Sequence, residues 1–327
     1  MNEETEGDAA DDAVSGSVRR CLLVVNPNSR KGREQTGTLI AALHEAGVRL
    51  FGDAPIVCDA LPDTLRKQAA TLDPATDRIL VAGGDGTINR LLPYLVEAAV
   101  PLAIIPTGTA NDLARTLGIP DEPAQAVEVA LDGPVRSIDL GRVNGVLFAN
   151  VASLGLGPKV TEHLSAQLKA RAGVLAYLRA LFSAYRDIRP FRCRIAADGG
   201  PQRRLHSIHV AIGNGRYYGG GATVFEGAAI DDRRLDLYSL SPLPLWRLLL
   251  RAPWLALGRH RELSEVYTVQ GATLSVRTSR RLPISADGEI IARTPAQFDV
   301  LPGVLQVIAA HRTTPGLRQD VESDYAF

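Results

Sequence analysis

The chain has 327 residues, 46% of them hydrophobic, a length that predicts about two domains with full cores. Its 36 basic and 36 acidic side chains balance, so the net charge indicates no nucleic-acid partner. The three cysteines, Cys21, Cys58 and Cys193, lie far apart and form no CxxC pair, which argues against a disulfide, a zinc site or a redox centre.

Both ends of the chain are polar. Residues 1–17 carry six acidic residues and no basic residue, and we expect a disordered acidic tail there. A second polar tail is expected at 316–327. The N-terminus does not resemble a signal peptide, and no apolar stretch approaches the roughly 18 residues that span a bilayer. The sequence therefore predicts a cytoplasmic protein.

From residue 20 to about residue 140, short apolar runs alternate with helical periodicity. Apolar strands are predicted at Cys21–Val25, Arg78–Ala82 and Leu102–Ile105, and a helical pattern follows each of them. Such alternation predicts a parallel sheet covered on both faces. We expect a doubly wound, three-layer α/β nucleotide-binding domain at 18–142.

After Asp139 the pattern becomes β-rich. Predicted strands follow one another mostly without helices between them, and they lie at 148–152, 193–197, 207–213, 235–240, 272–277 and 298–301. Helical insertions are expected at Val174–Ile188 and at Leu245–Leu257, where Pro253 should end or kink the helix. This pattern predicts a second, sandwich-like domain at 143–301, with the segment around 302–315 able to return to the first domain.

The most specific local motif is the GGDGT run at Gly83–Thr87, directly after a predicted strand. Glycines there let the backbone turn tightly and approach a ligand, and the helix that follows points free N–H groups at the turn. We expect Thr87 to be the N-cap of that helix. A nucleotide phosphate suits this place, beside which Asp85 would orient groups or reach Mg²⁺. An ordinary glycine turn is the alternative, and the run matches neither Walker A nor GxGxxG.

Two further loops, at 26–32 and 106–112, follow the carboxyl ends of predicted strands. Both are rich in the small hydroxyl, amide and glycine groups that suit phosphate and ribose contacts, although each alone is also typical of a capped turn. Ligands of open α/β sheets bind where such loops converge. Three loops from three strands therefore predict one shared ligand site.

Together these loops resemble the diacylglycerol kinase catalytic domain family, in particular the bacterial soluble lipid kinases that are also similar to sphingosine and ceramide kinases. The family's NPxSG-type, GGDGT and PxGTxNDLAR patterns are similar to residues 26–30, 83–87 and 106–115. The second half resembles the family's glycine-rich hairpin, DDGxLD segment and DGE motif at Gly213–Gly221, Ala228–Leu237 and Pro283–Glu289. The resemblance runs in consistent order from about residue 21 to residue 308.

The resemblance implies an ATP-dependent lipid kinase that transfers the γ-phosphoryl group to a lipid hydroxyl, with ATP and Mg²⁺ as cofactors. The positions that match the family's ATP-contacting segments are Asn26, Pro27, Asn28, Ser29, Arg30, Gly83, Gly84, Asp85, Gly86, Thr87, Ile88, Asn89 and Thr109. It also implies Asp287, Glu289 and Asp85 as the catalytic carboxylates and Asp232 as a ligand of a structural Mg²⁺.

Phosphoryl transfer to an alcohol needs a carboxylate that accepts or orients the hydroxyl proton. Asp287 and Glu289 are separated by one glycine and share one side of an extended segment. We favour Glu289 as the base, although Asp-Gly-Glu in isolation is more typical of a hairpin turn.

Three arginines depart from the family patterns. Arg30 stands where the family has glycine and Arg90 where it commonly has glutamate. Arg233 replaces the glycine of the DDG segment, which puts the conformation of that loop and its Mg²⁺ in doubt.

A lipid kinase reaches its substrate at a membrane surface, so peripheral membrane contact is expected. The basic, partly apolar stretch 169–194 is typical of a helix at an anionic surface or of a solvated helix face. Leu243–Leu257, with Trp246 and Trp254, would line a lipid pocket or belong to the core. The sequence does not select among diacylglycerol, phosphatidylglycerol, a sphingoid base and an isoprenoid, and it does not fix an oligomeric state.

Two alternatives remain open at this point. One is a NAD kinase-like enzyme that shares the GGDG loop, against which the Thr-Gly-Thr-Ala-Asn-Asp run at 107–112 and the late Asp-Gly-Glu argue. The other is a non-catalytic lipid- or nucleotide-binding member of the family, which the arginines at 30, 90 and 233 would favour.

Overall fold

The computed structural model describes residues 20–26, 32–51, 56–57, 62–158, 182–183, 185–224, 227–259, 262–286 and 289–311. Across these ranges no helix combines the length and the apolar character needed to cross a bilayer. The two predicted tails and most of the predicted helix Val174–Ile188 lie outside the described residues.

The first half of the chain builds a parallel sheet. Its strands are β1 (Arg20–Val25), β2 (Arg49–Leu50), β3 (Ile56–Val57), β4 (Asp77–Gly83) and β5 (Leu102–Pro106). They follow the order β5-β4-β1-β2, with β3 also parallel to β1. Every residue of β4 and β5 is buried, as expected for strands that are covered on both faces.

Helices cover both faces of this sheet. They are α1 (Gly32–Glu45), α2 (Pro62–Ala69), α3 (Asp85–Ala98), α4 (Asp112–Thr116) and α5 (Pro123–Asp132). α1 packs with α5, and α2 packs with α3, so the helices form two layers. Right-handed crossovers produce this arrangement when the strand order reverses at β1. The predicted doubly wound, three-layer architecture is confirmed.

The second half is β-rich. Its strands are β6 (Val135–Val143), β7 (Val146–Phe148), β8 (Val151–Gly155), β9 (Phe191–Ala197), β10 (Arg203–Ser207), β11 (His209–Gly213), β12 (Tyr217–Tyr218), β13 (Ala222–Thr223), β14 (Leu235–Leu240), β15 (Val266–Gly271), β16 (Thr273–Thr278), β17 (Pro283–Ala286), β18 (Glu289–Arg293) and β19 (Ala296–Ile308). Six of them form a sheet in the order β15-β14-β11-β8-β17-β18. This sheet shares an apolar core with β9, β16 and β19, in which the rings of Phe148 and Phe298 lie 6.5 Å apart. The predicted sandwich-like character is confirmed.

The strand β19 belongs to both halves. Near its start it pairs with β16, along its length it pairs with β6, and at its end Val307 pairs in parallel with Leu102 of β5. One sheet of eleven strands therefore continues from the second half into the parallel sheet of the first. The domain boundaries expected from the sequence stay predictions.

The helix α6 (Leu245–Ala256) continues three residues past Pro253. Leu243 and Leu248 near its start are buried, in agreement with the interpretation of this segment as core. That interpretation is wrong for the opposite face, because Trp246 is 58% exposed and Leu250 is 62% exposed. Apolar character alone does not distinguish a side chain packed against protein from one that faces outward.

Candidate active site

The carboxyl ends of three strands lie together at one edge of the parallel sheet. Val25 of β1 pairs with Ala82 of β4, and Gly83 of β4 pairs with Pro106 of β5, so these three strands end side by side. The strand order reverses at this point, where open α/β sheets bind their ligands. We call this place, formed by Asn26, residues 83–87 and residues 106–112, the loop edge.

The backbones of two loops touch at the loop edge. A methyl group on Gly108 would lie 2.6 Å from the Cα of Gly84 and 2.7 Å from Oδ1 of Asn111. Neither glycine has a positive φ, so close approach, not backbone conformation, is what requires a residue without a side chain. The backbone N–H of Thr107 also donates to the carbonyl of Gly83 at 3.2 Å.

Asn26 connects the first loop to the GGDGT run. Its backbone N–H donates to the carbonyl of Ala82 at 3.1 Å, and its Nδ2 donates to Oγ1 of Thr87 at 2.7 Å. The expectation that Thr87 is the N-cap of its helix is wrong. α3 begins at Asp85, with Gly84 as its N-cap, which places Thr87 in the first turn. The extended backbone of Gly84 starts the helix earlier, and the Thr87 hydroxyl instead accepts the Asn26 amide.

The carboxylate of Asp85 is buried and accepts hydrogen bonds from both neighbouring loops. The backbone N–H groups of Asp112 and Leu113, at the start of α4, each donate to it at 2.9 Å. Nδ2 of Asn150 donates to the same carboxylate at 3.2 Å. Asp85 therefore fixes the loop after β5 against the loop after β4. The catalytic role expected for Asp85 stays a prediction.

Asp112 joins the loop edge to the glycine-rich hairpin of the second half. Its Oδ1 lies 2.8 Å from Nη1 of Arg115, and its Oδ2 accepts the backbone N–H of Gly220 at 2.9 Å. Burial raises the pKa of the Asp112 carboxyl to about 6, against the opposing effects of the Gly220 hydrogen bond and Arg115. The guanidinium of Arg115 lies 6.0 Å from the ring centroid of Tyr217 in the same hairpin.

Asn150 is a residue that the sequence interpretation missed. Asn150 is fully buried. Its backbone carbonyl accepts the N–H groups of Asn214 and Gly215 at 2.7 and 3.1 Å, and its side-chain Nδ2 donates to Asp85. The predicted continuous strand 148–152 is interrupted here, between β7 and β8. A lone amide inside an apolar, strand-like run was the signal that could have identified it, since buried amides need specific partners.

The register of the second sheet fixes the position of Glu289. Ala286, at the end of β17, pairs with Ala152 of β8, two residues after Asn150, and it also pairs with Glu289 at the start of β18. At a strand spacing of about 4.8 Å, Ala286 and Glu289 lie at the end of this sheet that faces Asp85. Glu289 is exposed there. The structure does not describe Asp287, Pro27, Asn28, Ser29 and Arg30.

The other predicted ATP-contacting residues have separate environments. Oδ1 of Asn89 accepts the backbone N–H of Ala149 at 3.1 Å, which is a second contact between α3 and the start of the second half. Ile88 belongs to the apolar core, and Thr109 is exposed on the loop after β5. A contact of Gly86, Ile88, Asn89 or Thr109 with ATP stays a prediction.

The segment Asp231-Asp232-Arg233, which resembles DDG, keeps a left-handed backbone conformation at its third residue although arginine replaces glycine there. Arg233 has a φ of 62°, and its backbone N–H donates to the carboxylate of Asp139 at 2.6 Å. The second carboxylate oxygen of Asp139 accepts the N–H of Gly303 at 2.8 Å, and burial raises the pKa of this group. Oδ1 of Asp232 accepts the N–H of Arg234 at 2.9 Å. Within the described ranges no group of three or more His, Cys, Asp or Glu side chains could hold a metal.

Comparisons with known proteins agree with this geometry. Residues 20–143 match the family model of the diacylglycerol kinase catalytic domain, and residues 149–309 match that of the YegS C-terminal NAD kinase beta sandwich-like domain. The chain is 32% identical over 282 residues to a diacylglycerol kinase of Mycobacterium tuberculosis, covering 83% of this chain and 91% of that protein. It is 34% identical over 296 residues to a YegS-like lipid kinase of Pseudomonas aeruginosa, covering 88% and 93%.

Solved structures show the same fold. A candidate diacylglycerol kinase from Bacillus anthracis superposes with a TM-score of 0.70 at 26% identity, covering 90% of this chain and 99% of that one. A NAD kinase from Archaeoglobus fulgidus in complex with ATP superposes with a TM-score of 0.51 at 13% identity, covering 91% and 96%. The second likeness concerns the fold alone.

Proposed function

The chain belongs to the diacylglycerol kinase catalytic domain family and is a lipid kinase, and we propose that it transfers the γ-phosphoryl group of ATP to the hydroxyl of a diacylglycerol-like lipid. The observation that carries this proposal is the set of hydrogen bonds around Asp85. Its carboxylate accepts two backbone N–H groups at the start of α4 and the side-chain amide of Asn150, just before the second sheet. One buried carboxylate thus holds the loop edge, the proposed nucleotide site, at a fixed distance from the second sheet, which carries the proposed base. Phosphoryl transfer requires such fixed positioning of donor and acceptor.

The loop edge is the proposed site of the ATP phosphates. Contact between Gly84 and Gly108 keeps side chains away from the strand ends, so a phosphate can approach backbone N–H groups directly. The hydrogen bond from Asn26 to Thr87 holds the first residue after β1 at the same place. Residues 27–30 and Thr109 are proposed as further contacts to ATP.

Glu289 is the proposed base. Its position at the end of the second sheet that faces Asp85 allows a carboxylate to take the proton of the attacking lipid hydroxyl. Asp287 is proposed to position that hydroxyl.

Mg²⁺ is a proposed cofactor, which when bound with ATP neutralises charge on the phosphates. Oδ1 of Asn150 is buried and has no hydrogen-bond partner within the described chain, so it offers one oxygen acceptor beside Asp85 to a hydrated cation. Asp232 is the proposed ligand of a separate structural Mg²⁺. Only one carboxylate is expected there, and carbonyl oxygens would supply the remaining ligands.

The acceptor is proposed to be a lipid at a membrane surface. Peripheral membrane contact and a cytoplasmic location are both part of this proposal. The chemical identity of the lipid, beyond a hydroxyl group and apolar tails, is left to the experiment.

The test is transfer of label from γ-labelled ATP, with Mg²⁺, to a panel of lipids and to NAD, followed by separation of the products. We expect label in at least one phospholipid product, and a Glu289→Gln variant should lose about 100-fold or more of kcat while binding ATP normally. Glu262→Gln removes an exposed glutamate elsewhere and is the matched control.

Two results would overturn the proposal. Label that appears in NADP alone would identify a NAD kinase-like enzyme. A protein that binds ATP but labels no lipid and no NAD would be a non-catalytic member of the family.

A further inference from the structure

The helix α6 is apolar on two opposite faces. Leu248 is buried, and Leu245 and Leu255 pack with it against an apolar cluster that includes Leu240 and Leu243. On the other side five large apolar side chains are exposed, and we call them the α6 face: Trp246 (58%), Leu249 (41%), Leu250 (62%), Trp254 (39%) and Leu257 (62%). A surface helix of a protein that meets only water has polar residues on that side.

The composition of the α6 face is that of a membrane interface. Both tryptophans of the chain lie on it, and tryptophan is enriched at the level of the lipid headgroups. Contiguous apolar patches of this kind mark sites that meet another apolar phase. Phe182, 51% exposed, adds a sixth apolar side chain on a nearby segment.

Positive charge accompanies the α6 face. The helix contains two arginines and no acidic residue, and the guanidinium of Arg247 lies 5.1 Å from the ring centroid of Trp246. The neighbouring segment is joined to the start of α6 by a 2.8 Å hydrogen bond from Tyr185 Oη to the carbonyl of Leu243. That segment exposes Arg186 and Arg189 against a single acid, Asp187. Arginines beside exposed leucine and tryptophan complement an anionic lipid surface.

The place of α6 in the fold connects this surface to the loop edge. α6 contacts β13, one strand of the glycine-rich hairpin. Gly220, in the same hairpin, donates its N–H to Asp112 at the loop edge. A bilayer seated on the α6 face would therefore lie next to the hairpin that borders the proposed phosphoryl-transfer site.

We propose that the α6 face is the surface by which this protein docks on an anionic lipid bilayer. The proposal rests on the proposed function only in naming the purpose of docking, which is access to a lipid acceptor. A second copy of the chain fits the face less well, because α6 carries two arginines and no acidic residue that could pair with them in a symmetric helix-to-helix contact.

The experiment uses the full chain and vesicles of equal parts phosphatidylglycerol and phosphatidylcholine, with pure phosphatidylcholine for comparison. Because both tryptophans lie on the α6 face, intrinsic fluorescence reports on it directly. We expect emission to move to shorter wavelength with anionic vesicles, and lipids carrying a quencher in their acyl chains should quench it. Binding should weaken as salt is raised.

Variants separate the surface from the chemistry. Leu250→Asp should lower partition onto anionic vesicles about tenfold or more, and Arg247→Glu should remove most of the preference for anionic over neutral vesicles. Val146→Asp changes a 42% exposed valine on β7 and should leave partition unchanged. All three variants should phosphorylate a short-chain, water-soluble diacylglycerol at the wild-type rate.

Three results would overturn the docking proposal. They are vesicle binding without a change in tryptophan emission, a Leu250→Asp variant that partitions like wild type, and a dimer in solution that Leu250→Asp dissociates. If instead the vesicle results hold while no lipid is phosphorylated, the docking surface stands and the proposed function fails.

Discussion

The loop edge and the α6 face both adjoin the glycine-rich hairpin, and they differ in which groups are exposed to solvent. At the loop edge, polar groups are buried and bonded to one another, as when Asp85 accepts the backbone N–H groups of two consecutive residues. At the α6 face, apolar groups are exposed, with Leu250 62% accessible. Each region departs from the usual distribution of polar and apolar residues. Hydrogen bonds offset the cost of burying polar groups at the loop edge, whereas the described residues leave the apolar side chains of the α6 face exposed.

This contrast suits the two roles proposed for these regions, which are phosphate binding at the loop edge and membrane contact at the α6 face. A compact polar ligand such as a phosphate needs donors that are already oriented, and in the proposed function the hydrogen-bonded loop edge supplies them. A lipid surface is fluid and variable, and a face of flexible leucines and amphipathic tryptophans suits it without a fixed geometry. Substitutions at the loop edge should therefore change catalysis and folding together. Those at the α6 face should change neither folding nor the rate on a water-soluble substrate.

Removing Asp85 should have the largest effect. In Asp85→Ala, the N–H groups of Asp112 and Leu113 would be buried without an acceptor, at a cost of about 1–3 kcal/mol each. Misplacement of the loop edge should lower kcat/KM about 100-fold or more. Steady-state kinetics and urea unfolding measure both effects, and Asp132→Ala, at an exposed position on α5, is the control. Wild-type kinetics in Asp85→Ala would show that the loop edge is not held by this carboxylate.

Burial of Asp112 predicts a pH dependence of stability. Its pKa is raised from 3.8 to about 6, so the folded state binds this proton more tightly than the unfolded state. The contribution of Asp112 is therefore most favourable below about pH 4 and is lost as the pH rises through 6. Relative to Asp112→Asn, wild type should lose up to about 3 kcal/mol of unfolding free energy over that window.

Unfolding of both proteins in urea from pH 4 to pH 8 measures this difference. The asparagine keeps an oxygen that can accept the N–H of Gly220, so the hairpin contact is retained in the variant. A difference that does not vary with pH would contradict the buried, partly protonated state of Asp112.

The close contact between Gly84 and Gly108 predicts an effect of intermediate size when Gly108 is replaced. In Gly108→Ala the added methyl group would meet the backbone of Gly84, which must move by several tenths of an ångström. We expect a loss of about 1–3 kcal/mol in stability and about a tenfold rise in the KM for ATP. Gly37→Ala, where no atom lies within 4 Å, should instead stabilise α1 by about 0.5–1 kcal/mol. Equal ATP kinetics in the two variants would count against close contact of the loops.

The smallest expected effect concerns Arg233, whose φ of 62° lies in the left-handed region. Arg233→Gly should raise the unfolding free energy by about 1 kcal/mol, because glycine adopts this conformation without strain. Arg234→Gly is the matched control, and it should lower stability by about 0.5–1 kcal/mol through unfolded-chain entropy. Thermal unfolding distinguishes the two variants, and a shift of the same sign in both would mean that the turn at Arg233 is unstrained.

The sequence was sufficient to predict those structural elements that depend on residues close together in the chain. Strand, glycine turn and helix follow from local patterns, and the buried runs of β4 and β5 have the composition of parallel strands. It was insufficient where partners come from distant segments. Nothing near Asn150 in the chain shows that its amide meets Asp85, and nothing near Asp112 shows that Gly220 donates to it. The exposure of one face of α6 was not predicted, because Leu and Trp are equally apolar whether they are buried or exposed.

Strand β19 has a consequence for how the protein is made. Because Val307 pairs with Leu102, β5 remains an open sheet edge until β19 has been synthesised and has left the ribosome. The nucleotide half cannot mature ahead of the rest, as an N-terminal domain usually does. A nascent chain stalled before residue 296, where β19 begins, would present that edge to its neighbours.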